Sequence, residues 1–404
     1  MLGSTVSSAF TRSRRDLLVY VATTPYHGPA GTDRHVADAL SRRAPVVYVD
    51  PPTSLVNRVR TRRSTGTSPP GRGPRVVSET LAVISPRVPP AISRALVHPL
   101  EAPLVARAIR QALRRLAPQD PGSAPVRGVV SAHVAAPWSA VPALRRVYFA
   151  TDDHVAGADL LGVPRARLAR QERATLRGAD AVAAVSPVLA ERLAEGGRRV
   201  HLVPNGCAPE AYADVDDAPL PTDVSLRPPV AGFVGFLNDR IELTLLEAVA
   251  DAGISLLLVG PQASGHRSDR VHALAARPNV CWVGARAFEE LPGYLRLIDV
   301  GLTPYADTAF NRASFPLKTL EYLAAGRPVV STPLPATEWL DTDLIRTAIE
   351  PADFAAQVVA LSTSGRIPEQ VRARRAFAGS HSWAARAEAL EALLSLQTSV
   401  EVIR

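Results

Sequence analysis

The sequence predicts an α/β protein built from two doubly wound parallel sheets. Its 404 residues exceed one ordinary domain of roughly 100 to 200 residues. Short apolar runs alternate with stretches in which apolar residues recur at spacings of three and four, and strand alternating with helix favours a parallel sheet. This alternation stops in a Pro- and Asp-rich stretch and then starts again. We therefore expect two sheets rather than one.

The first series of apolar runs predicts the strands of the first sheet. Helical stretches, for example 33–43 and 166–178, separate these runs. The predicted strands lie at 17–22, 46–50, 129–133, 147–150, 181–186 and 200–204.

The second series repeats the pattern with strands at 230–235, 254–260, 280–284, 300–304 and 328–332. Helical periodicity between them covers 243–253, 290–298 and 317–326. Two such sheets joined by a linker predict domains that face a central cleft, because open parallel sheets bind ligands beyond the carboxyl ends of their strands.

The domain limits follow from the non-periodic segments. The stretch 212–230 is rich in Pro and Asp, as interdomain linkers are. We expect a first domain over 1–213, a linker over 214–229, a second domain over 230–380 and a final segment over 381–404. A second low-order stretch, 60–75, predicts a long exposed basic loop.

Composition favours a cytosolic protein. The N-terminal arginines lack an apolar signal core, and the first apolar run, from Leu17, is far too short to cross a bilayer. The two cysteines, Cys207 and Cys281, cannot form a disulfide framework or a four-cysteine zinc site, and we interpret both as small core residues.

The positive charge is concentrated in the first half of the chain. Residues 1–213 contain 29 arginines and 15 acidic residues, a net of +14, whereas the remainder has a net of −6. This asymmetry suggests an anionic partner, either a membrane surface or nucleic acid, or simply an arginine-rich solvated surface. No nucleic acid is expected, because aromatic residues make up only 5% of the chain. A location at the inner face of the cell membrane would suit the charge.

The segment 91–117 carries an apolar stripe with arginines elsewhere. Such a helix could lie on an anionic membrane or pack on the sheet as a domain helix.

The second domain offers an anion site after the strand at 300–304. Neither a G-x-G-x-x-G fingerprint nor a P-loop occurs in the chain. A polar loop leads instead into a helix that begins near Pro316 or Leu317, and the free N–H groups of a helix N-terminus suit a phosphate or diphosphate. The polar loop residues are Asp307, Asn311, Arg312 and Ser314.

Lys318 is the only lysine of the chain, and it lies in the first turn of that helix. A cation there disfavours the helix by roughly 0.3 to 1 kcal/mol unless an anion docks beside it. Glu321 shares its face and can accept hydrogen bonds from the paired hydroxyls of a sugar. The alternative is an ordinary surface ion pair.

The first domain contributes candidate catalytic residues. Asp152 and Asp153 follow the strand at 147–150, where a carboxylate could act as general base on a hydroxyl, cap a helix, or bind a metal with its neighbour. His133 ends another strand and is expected to point toward the cleft. In the loop that follows the first strand, Gly31 permits close backbone approach, and Asp50 favours a turn or cap role.

Several motifs together resemble the GT-B glycosyltransferases of the bacterial group 1, family four type, which includes teichuronic-acid and cell-wall polysaccharide enzymes. The helix motif is PLKTLEYLAAGRPVVST. The end of the family's first domain is resembled by YFATDDHVAG and ERATLRGADAVAAVSPVLAERLAEGGRRVHLVPNG. The start of its second domain is resembled by VAGFVGFLNDRIELTLLEAVA. The final helix is resembled by HSWAARAEALEALL.

The resemblance implies a glycosyltransferase that moves a sugar from a nucleoside diphosphate sugar to a hydroxyl of a glycan, a lipid-linked molecule or a small molecule, without a metal or other cofactor. It implies that 1–213 is the acceptor-side domain, that 230–380 is the nucleotide-sugar domain and that the helix over 381–404 crosses back to the first domain. It also implies that Glu321 binds the ribose hydroxyls and that Lys318, with Arg312 or Arg240, lies near the diphosphate. The remaining implied donor contacts are Gly31, Gly235, Ser314, Pro316 and Leu317.

One position departs from the family pattern. Many relatives carry a second glutamate eight residues before the ribose-binding one, and Ala313 stands there in this chain. The sugar and the retaining or inverting outcome are therefore left open, and a sugar-nucleotide epimerase or a non-catalytic GT-B partner protein stay as alternatives.

Overall fold

The computed structural model describes residues 9–10, 13–54, 73–89, 101–121, 124–263 and 268–395. They form two compact units. The first unit extends to Ala184 and includes Leu193–Val203 and the chain from Ala387 onward. The second unit includes Val185–Arg192 and Pro204–Arg386. The stretch 214–229, predicted as a linker, is thus grouped with the second unit.

The first unit is built around a sheet whose strand order is β10-β9-β8-β7-β1-β2-β5-β4. Adjacent strands are parallel except β4, which pairs antiparallel with β5, while β3 and β6 form a separate parallel pair. The strands are β1 Leu18–Val21, β2 Val46–Val49, β3 Thr53–Ser54, β4 Arg75–Ser78, β5 Leu81–Ile84, β6 Arg87–Val88, β7 Gly128–Ser131, β8 Arg146–Ala150, β9 Ala181–Ala184 and β10 Val200–Leu202.

The helices that follow these strands are α1 Thr32–Ser41, α2 Glu101–Leu116, α3 Ala158–Leu161, α4 Arg165–Gly178 and α5 Pro187–Ala194. Every residue of β1, β2, β7 and β9 is buried, as expected of parallel strands that are covered on both faces. Each of the six predicted runs contains a strand. The sequence analysis missed β4 and β5, although β5 is also fully buried.

Helix α2 packs on the sheet through its apolar stripe. Val105, Ile109, Leu113 and Leu116 are buried in the same core as the β1 and β2 side chains. For the described part of the predicted helix, the packed alternative is therefore the correct one, and residues 91–100 lie outside the described ranges. Most of the predicted basic loop 60–75 also lies outside them.

The second unit contains a parallel sheet of order β13-β12-β11-β14-β15-β16. Its strands are β11 Val230–Val234, β12 Ser255–Val259, β13 Val280–Gly284, β14 Val300–Thr303, β15 Val329–Ser331 and β16 Ile345–Thr347. Its helices are α6 Leu243–Asp251, α7 Ser268–Ala275, α8 Leu291–Leu297, α9 Ala309–Ala313, α10 Leu317–Ala324, α11 Pro335–Trp339, α12 Pro351–Thr363 and α13 Pro368–Ser380.

The last described helix, α14 Trp383–Ser395, begins in the second unit and ends in the first. Within the first unit, Glu391 of this helix accepts a hydrogen bond from Arg127 at 2.8 Å and pairs with Arg43. The two arginines lower the pKa of the Glu391 carboxyl, although its partial burial acts in the opposite direction.

Two buried features tie the segment around residue 215 to the second unit. Val215 is fully buried, and Asp216 accepts hydrogen bonds from Arg327 at 2.6 Å and Arg375 at 2.9 Å. Arg327 itself is fully buried, so Asp216 is the carboxylate that compensates a buried charge. A stretch without periodicity can thus still be well packed.

The cysteines differ from each other. Cys207 is buried, and burial first of all raises the pKa of its thiol to about 12. Cys281 is only partly buried, so the interpretation of both cysteines as core residues is wrong for Cys281. Strand β13 is an edge strand of its sheet, which explains the exposure.

Within the described ranges, every helix is too short or too polar to traverse a lipid bilayer.

Candidate functional site

The candidate site of the second unit is the start of α10, which follows β14 by way of α9. Pro316 is the N-cap residue, with extended backbone (φ −64°, ψ 120°), and Leu317 is the first helical residue. No side chain caps this end, so the N–H groups of the first turn are available to an anion. The hydroxyl of Thr319 in the same turn is buried and has no partner among the described residues.

Lys318 and Glu321 form an ion pair on this helix. The Lys318 Nζ atom lies 2.6 Å from Glu321 Oε2, and the two side chains are 18% and 7% exposed. A pair this well buried differs from a surface pair, since little solvent screens it. In this structure the two residues thus satisfy each other, and a ligand that binds both must take the place of that contact.

Two side chains from distant parts of the sequence hold the backbone just before α10. Ser186 Oγ donates to the carbonyl of Ala313 at 2.5 Å, and Asn205 Nδ2 donates to the carbonyl of Phe315 at 2.7 Å. Both side chains are buried. Ser186 follows Val185, and Asn205 lies in the run Val-Pro-Asn-Gly at 203–206. Both runs are part of a segment that resembles the family, but the sequence predicts no role for either side chain. Their role is to fix the approach of the chain to α10.

Ser314, between those two carbonyls, is buried and donates from its hydroxyl to the carbonyl of Phe310 at 2.9 Å. The hydroxyl thus closes the end of α9. The side chain that the sequence proposed as a ligand contact is therefore also a structural hydrogen-bond donor.

Arg240 is fixed by the segment that carries α9. Its Nε donates to Asn311 Oδ1 at 2.9 Å, and the buried Asn311 amide donates back to the Arg240 carbonyl at 2.9 Å. The guanidinium also stands 4.8 Å from the ring centre of Phe310 and 5.5 Å from that of Tyr305. Aromatic faces and an amide thus orient one edge of this cation, which is the arrangement that suits a bidentate arginine.

Arg312 is held differently. It lies in α9, where the sequence analysis expected a loop, because Thr308 accepts the N–H of Asn311 and starts a helical turn. The guanidinium pairs with Asp307 at 3.3 Å, and both side chains are more than half exposed. Of the two arginines proposed for the diphosphate, Arg240 is the one whose side chain is held by more contacts.

Gly235 follows β11 and lies against the end of β12. A Cβ atom on the neighbouring Gly260 would stand 1.8 Å from the Gly235 carbonyl oxygen, so the two loops approach more closely than side chains allow. Tyr322 of α10 accepts the N–H of Val234 at 2.7 Å. Helix α10 and the end of β11 are thereby joined beside Gly235.

His133 of the first unit follows β7. Its Nδ1 accepts the N–H of Ala135 at 3.1 Å, so the proton of the neutral ring is on Nε2. Burial, and then the charge of His154, lower the pKa of His133 to about 4. The ring is therefore neutral near pH 7, and its Nε2–H can donate a hydrogen bond.

Asp152 and Asp153 follow β8. Asp153 is 4% exposed, and its Oδ1 accepts the N–H of Ala156 at 2.9 Å, while its carbonyl accepts that of Gly157 at 2.8 Å. Asp153 thus closes a turn that precedes α3, which is close to the expected capping role, whereas Asp152 is half-buried. Among the described residues, no three His, Cys, Asp or Glu side chains are grouped as metal ligands would be.

Gly31 is the N-cap residue of α1, and apart from its chain neighbours no described residue has an atom within 4 Å of where its Cβ would stand. The loop before it is held by buried Asp33, which accepts hydrogen bonds from the backbone and hydroxyl of both Thr23 and Thr24 at 2.7 to 3.1 Å. Asp50 accepts the N–H of Tyr26 at 2.8 Å and the hydroxyl hydrogen of Ser85, so it joins segments distant in sequence instead of taking the expected turn or cap role.

Three comparisons with known proteins bear on these arrangements. Residues 228–364 match the family model described as glycosyl transferases group 1. A curated relative, described as the teichuronic acid biosynthesis glycosyltransferase TuaH of Bacillus subtilis (strain 168), is 34% identical over 172 residues. That alignment covers 41% of this chain and 43% of TuaH, so it spans less than half of the relative.

Solved structures match over almost the whole chain. Sucrose-phosphate synthase from Thermosynechococcus elongatus has a TM-score of 0.70 at 16% identity, with 94% of this chain and 98% of that chain covered. Anabaena HepE in complex with UDP and glucose has a TM-score of 0.63 at 14% identity, with 94% and 100% covered. At such identities the likeness establishes the fold alone. Residues 228–364 are therefore similar to the group 1 glycosyl transferases, in a chain that has the GT-B fold.

Proposed function

We propose that this protein transfers a sugar from a nucleoside diphosphate sugar to a hydroxyl acceptor. The observation that carries the proposal is the buried Lys318–Glu321 pair at the uncapped start of α10, within the segment that matches the group 1 model. A buried carboxylate can accept two hydroxyl hydrogen bonds, and a cation beside free helix N–H groups suits a diphosphate. One helical turn thus offers both halves of a nucleoside diphosphate site.

The proposed donor contacts have separate roles. Glu321 accepts the ribose hydroxyls, while Lys318 and the first turn of α10 bind the diphosphate, with Leu317 and Pro316 setting where that turn begins. Arg240 supplies a second cation and Gly235 lets the ligand approach the backbone. The remaining proposed contacts are Arg312, Ser314 and, from the first unit, Gly31.

These groups would also favour the reaction. When the glycosidic bond breaks, the departing nucleoside diphosphate gains negative charge. Fixed cations and N–H groups that face this charge stabilise the transition state more than the ground state. Lys318 and Arg240 can provide that stabilisation directly, so a metal ion is not needed in this scheme.

The acceptor is proposed to bind through the first unit. Asp152 is the candidate general base, because Asp153 is committed to its turn. His133, neutral with its proton on Nε2, can donate a hydrogen bond to a sugar oxygen. The partial likeness to TuaH favours a cell-wall polysaccharide or its lipid-linked precursor as the acceptor.

The decisive experiment is a thermal-shift screen with UDP, GDP, ADP and their common sugar conjugates. A ligand that binds only the folded protein raises its melting temperature, by an amount that grows with concentration over Kd. We expect a shift with one nucleotide class, with UDP favoured by the ligand of the structural relative HepE. The variant Glu321→Ala should lose the shift. The matched control is Glu338→Ala, which changes an exposed glutamate of α11 and should keep the shift. If no nucleotide stabilises the wild-type protein, the proposal fails.

A membrane surface is the proposed partner of the first unit, which would place the enzyme at the inner face of the cell membrane. Leu160 and Leu161 of α3 are 45% and 50% exposed, and the next helix exposes arginines beside them. Apolar side chains flanked by arginines suit an anionic interface. The exposed arginines of α4 are Arg165, Arg170, Arg173 and Arg177.

Sedimentation with phosphatidylglycerol vesicles tests this partner. The double variant Leu160→Ser/Leu161→Ser should bind less, whereas Leu220→Ser, which changes an exposed leucine of the second unit, should bind as the wild type does. Equal binding by all three proteins would contradict the proposal.

A further inference from the structure

Tyr212 is a buried tyrosine that no part of the proposed mechanism uses. It ends the short 3-10 helix Pro209–Tyr212, which packs against α10. The residue is 0% exposed, and its ring meets Phe288 edge-on with 6.2 Å between ring centres. The aromatic ring is thus fixed, and its hydroxyl has a fixed position beside the helix that carries Glu321.

The hydroxyl of Tyr212 makes no well-formed hydrogen bond among the described residues, although the Glu321 carboxylate acts on it as a hydrogen-bond acceptor. Leaving a buried hydroxyl without a partner costs free energy, so such a group marks a site where a partner is missing or shared. The ionisable groups that act on it are Glu321, Cys207 and Tyr322. Burial first, and then the Glu321 carboxylate, raise the pKa of Tyr212 well above its usual value. The phenol is therefore a donor at every physiological pH.

Glu321 needs a second donor when a ligand binds. Its Oε2 atom accepts from Lys318 at 2.6 Å, and the residue is 5% exposed. If Lys318 turns toward a diphosphate, as the proposed function requires, that oxygen loses this ion-pair partner in a nearly dry site. A carboxylate in that position could rotate away from the ribose unless another group held it.

We propose that Tyr212 is the positioning residue that holds the Glu321 carboxylate in its ribose-binding orientation once Lys318 has engaged the diphosphate. The inference rests on the proposed function, and it assigns ribose selectivity to a pair of residues rather than to Glu321 alone. Tyr212 touches neither ribose nor diphosphate; it donates its hydroxyl hydrogen to the carboxylate, whose other lone pairs accept the 2′ and 3′ hydroxyls of the ribose.

The test is the ratio of affinities for UDP and 2′,3′-dideoxy-UDP, measured by calorimetry, with GDP and its dideoxy form run in parallel. Loss of one hydrogen bond to a charged group is worth about tenfold in affinity. In Tyr212→Phe we expect the ribose-containing nucleotide to bind about tenfold more weakly and the dideoxy nucleotide to bind as before. A merely structural tyrosine would weaken both nucleotides equally.

Tyr322→Phe is the matched control, because it removes the hydroxyl of another fully buried tyrosine, whose partner is the Val234 N–H rather than a carboxylate. It should lower the melting temperature and leave the ratio unchanged. In a Glu321→Gln background, Tyr212→Phe should have no further effect on the ratio, since the two residues act as a unit.

The outcomes separate the two proposals. Ribose selectivity lost in Glu321→Gln but intact in Tyr212→Phe overturns the role of Tyr212 and leaves the proposed function standing. A wild-type protein that binds none of UDP, GDP and ADP overturns both.

Discussion

The start of α10 and the turn after β8 are both polar segments at the carboxyl ends of parallel strands, yet they use their polar groups differently. At α10 the N-cap is left open, and the charges of Lys318 and Glu321 satisfy each other. After β8, the Asp153 carboxylate accepts a hydrogen bond from the backbone of its own turn. A charge pair that makes no hydrogen bond to the backbone can give up its mutual contact to bind a ligand. A carboxylate that holds a turn cannot move to a ligand without losing its hydrogen bond to the backbone, which lowers stability.

This difference favours nucleotide binding at the start of α10. In the turn after β8, it leaves Asp152 rather than Asp153 as the carboxylate for acid–base chemistry. It also predicts that substitutions at α10 change nucleotide affinity, while those around β8 change turnover or stability.

The largest effect is expected from Glu321→Ala. Removing two hydroxyl hydrogen bonds to a carboxylate should lower kcat/KM for the nucleotide sugar about 1,000-fold, with the loss appearing in nucleotide binding as well. Normal sugar transfer by this variant would contradict the assignment of nucleotide binding to the start of α10. Glu338→Ala, assayed alongside for transfer and thermal shift, shows whether removal of any glutamate from this unit has the same effect.

Asp152→Asn should lower kcat about 100-fold and leave the nucleotide-dependent thermal shift intact, because loss of a general base affects proton transfer alone. Asp159→Asn, at an exposed carboxylate of α3, is the control. A variant with wild-type kcat would remove Asp152 from the reaction and leave the first unit without an assigned base.

His133 predicts acid sensitivity of the first unit. Its pKa is about 4 in the fold, below the ordinary value of 6.5, so the unfolded chain binds the extra proton first. The stability that this neutral ring permits is complete above pH 6.5 and decreases as the pH falls toward 4, by about 3 kcal/mol. Urea unfolding at pH 7, 5.5 and 4.5 should show a smaller decrease for His133→Asn. Parallel pH dependence in both proteins would show that the ring is not held neutral.

The smallest effect is expected from Lys318→Arg. A lysine is a compact charge on a flexible stem, whereas an arginine requires a fixed fork geometry. The substitution keeps the charge and should reduce kcat about tenfold, since the new side chain must both pair with Glu321 and follow the diphosphate. Unchanged turnover would mean that any cation at this position suffices.

Much of the site could be predicted because its signals are local. Lys318 and Glu321 are three residues apart on one helix face, and the cost of a cation in a first turn needs no knowledge of the fold. The start of the helix at Leu317 is confirmed for the same reason. The loop expected at Arg312 is instead α9, because the Thr308 cap was not recognised.

The sequence by itself determined the two series of buried strands and the charged turn of α10, since both depend on spacings of two to four residues. Only the tertiary structure decided that Ser186 and Asn205 hold the chain before α10, that the buried Tyr212 lies in a short helix packed against α10, and that Cys281 lies at a sheet edge. The first two findings are contacts between residues roughly 100 positions apart, and the third depends on the order of strands in the sheet. Local periodicity predicts neither long-range contacts nor strand order.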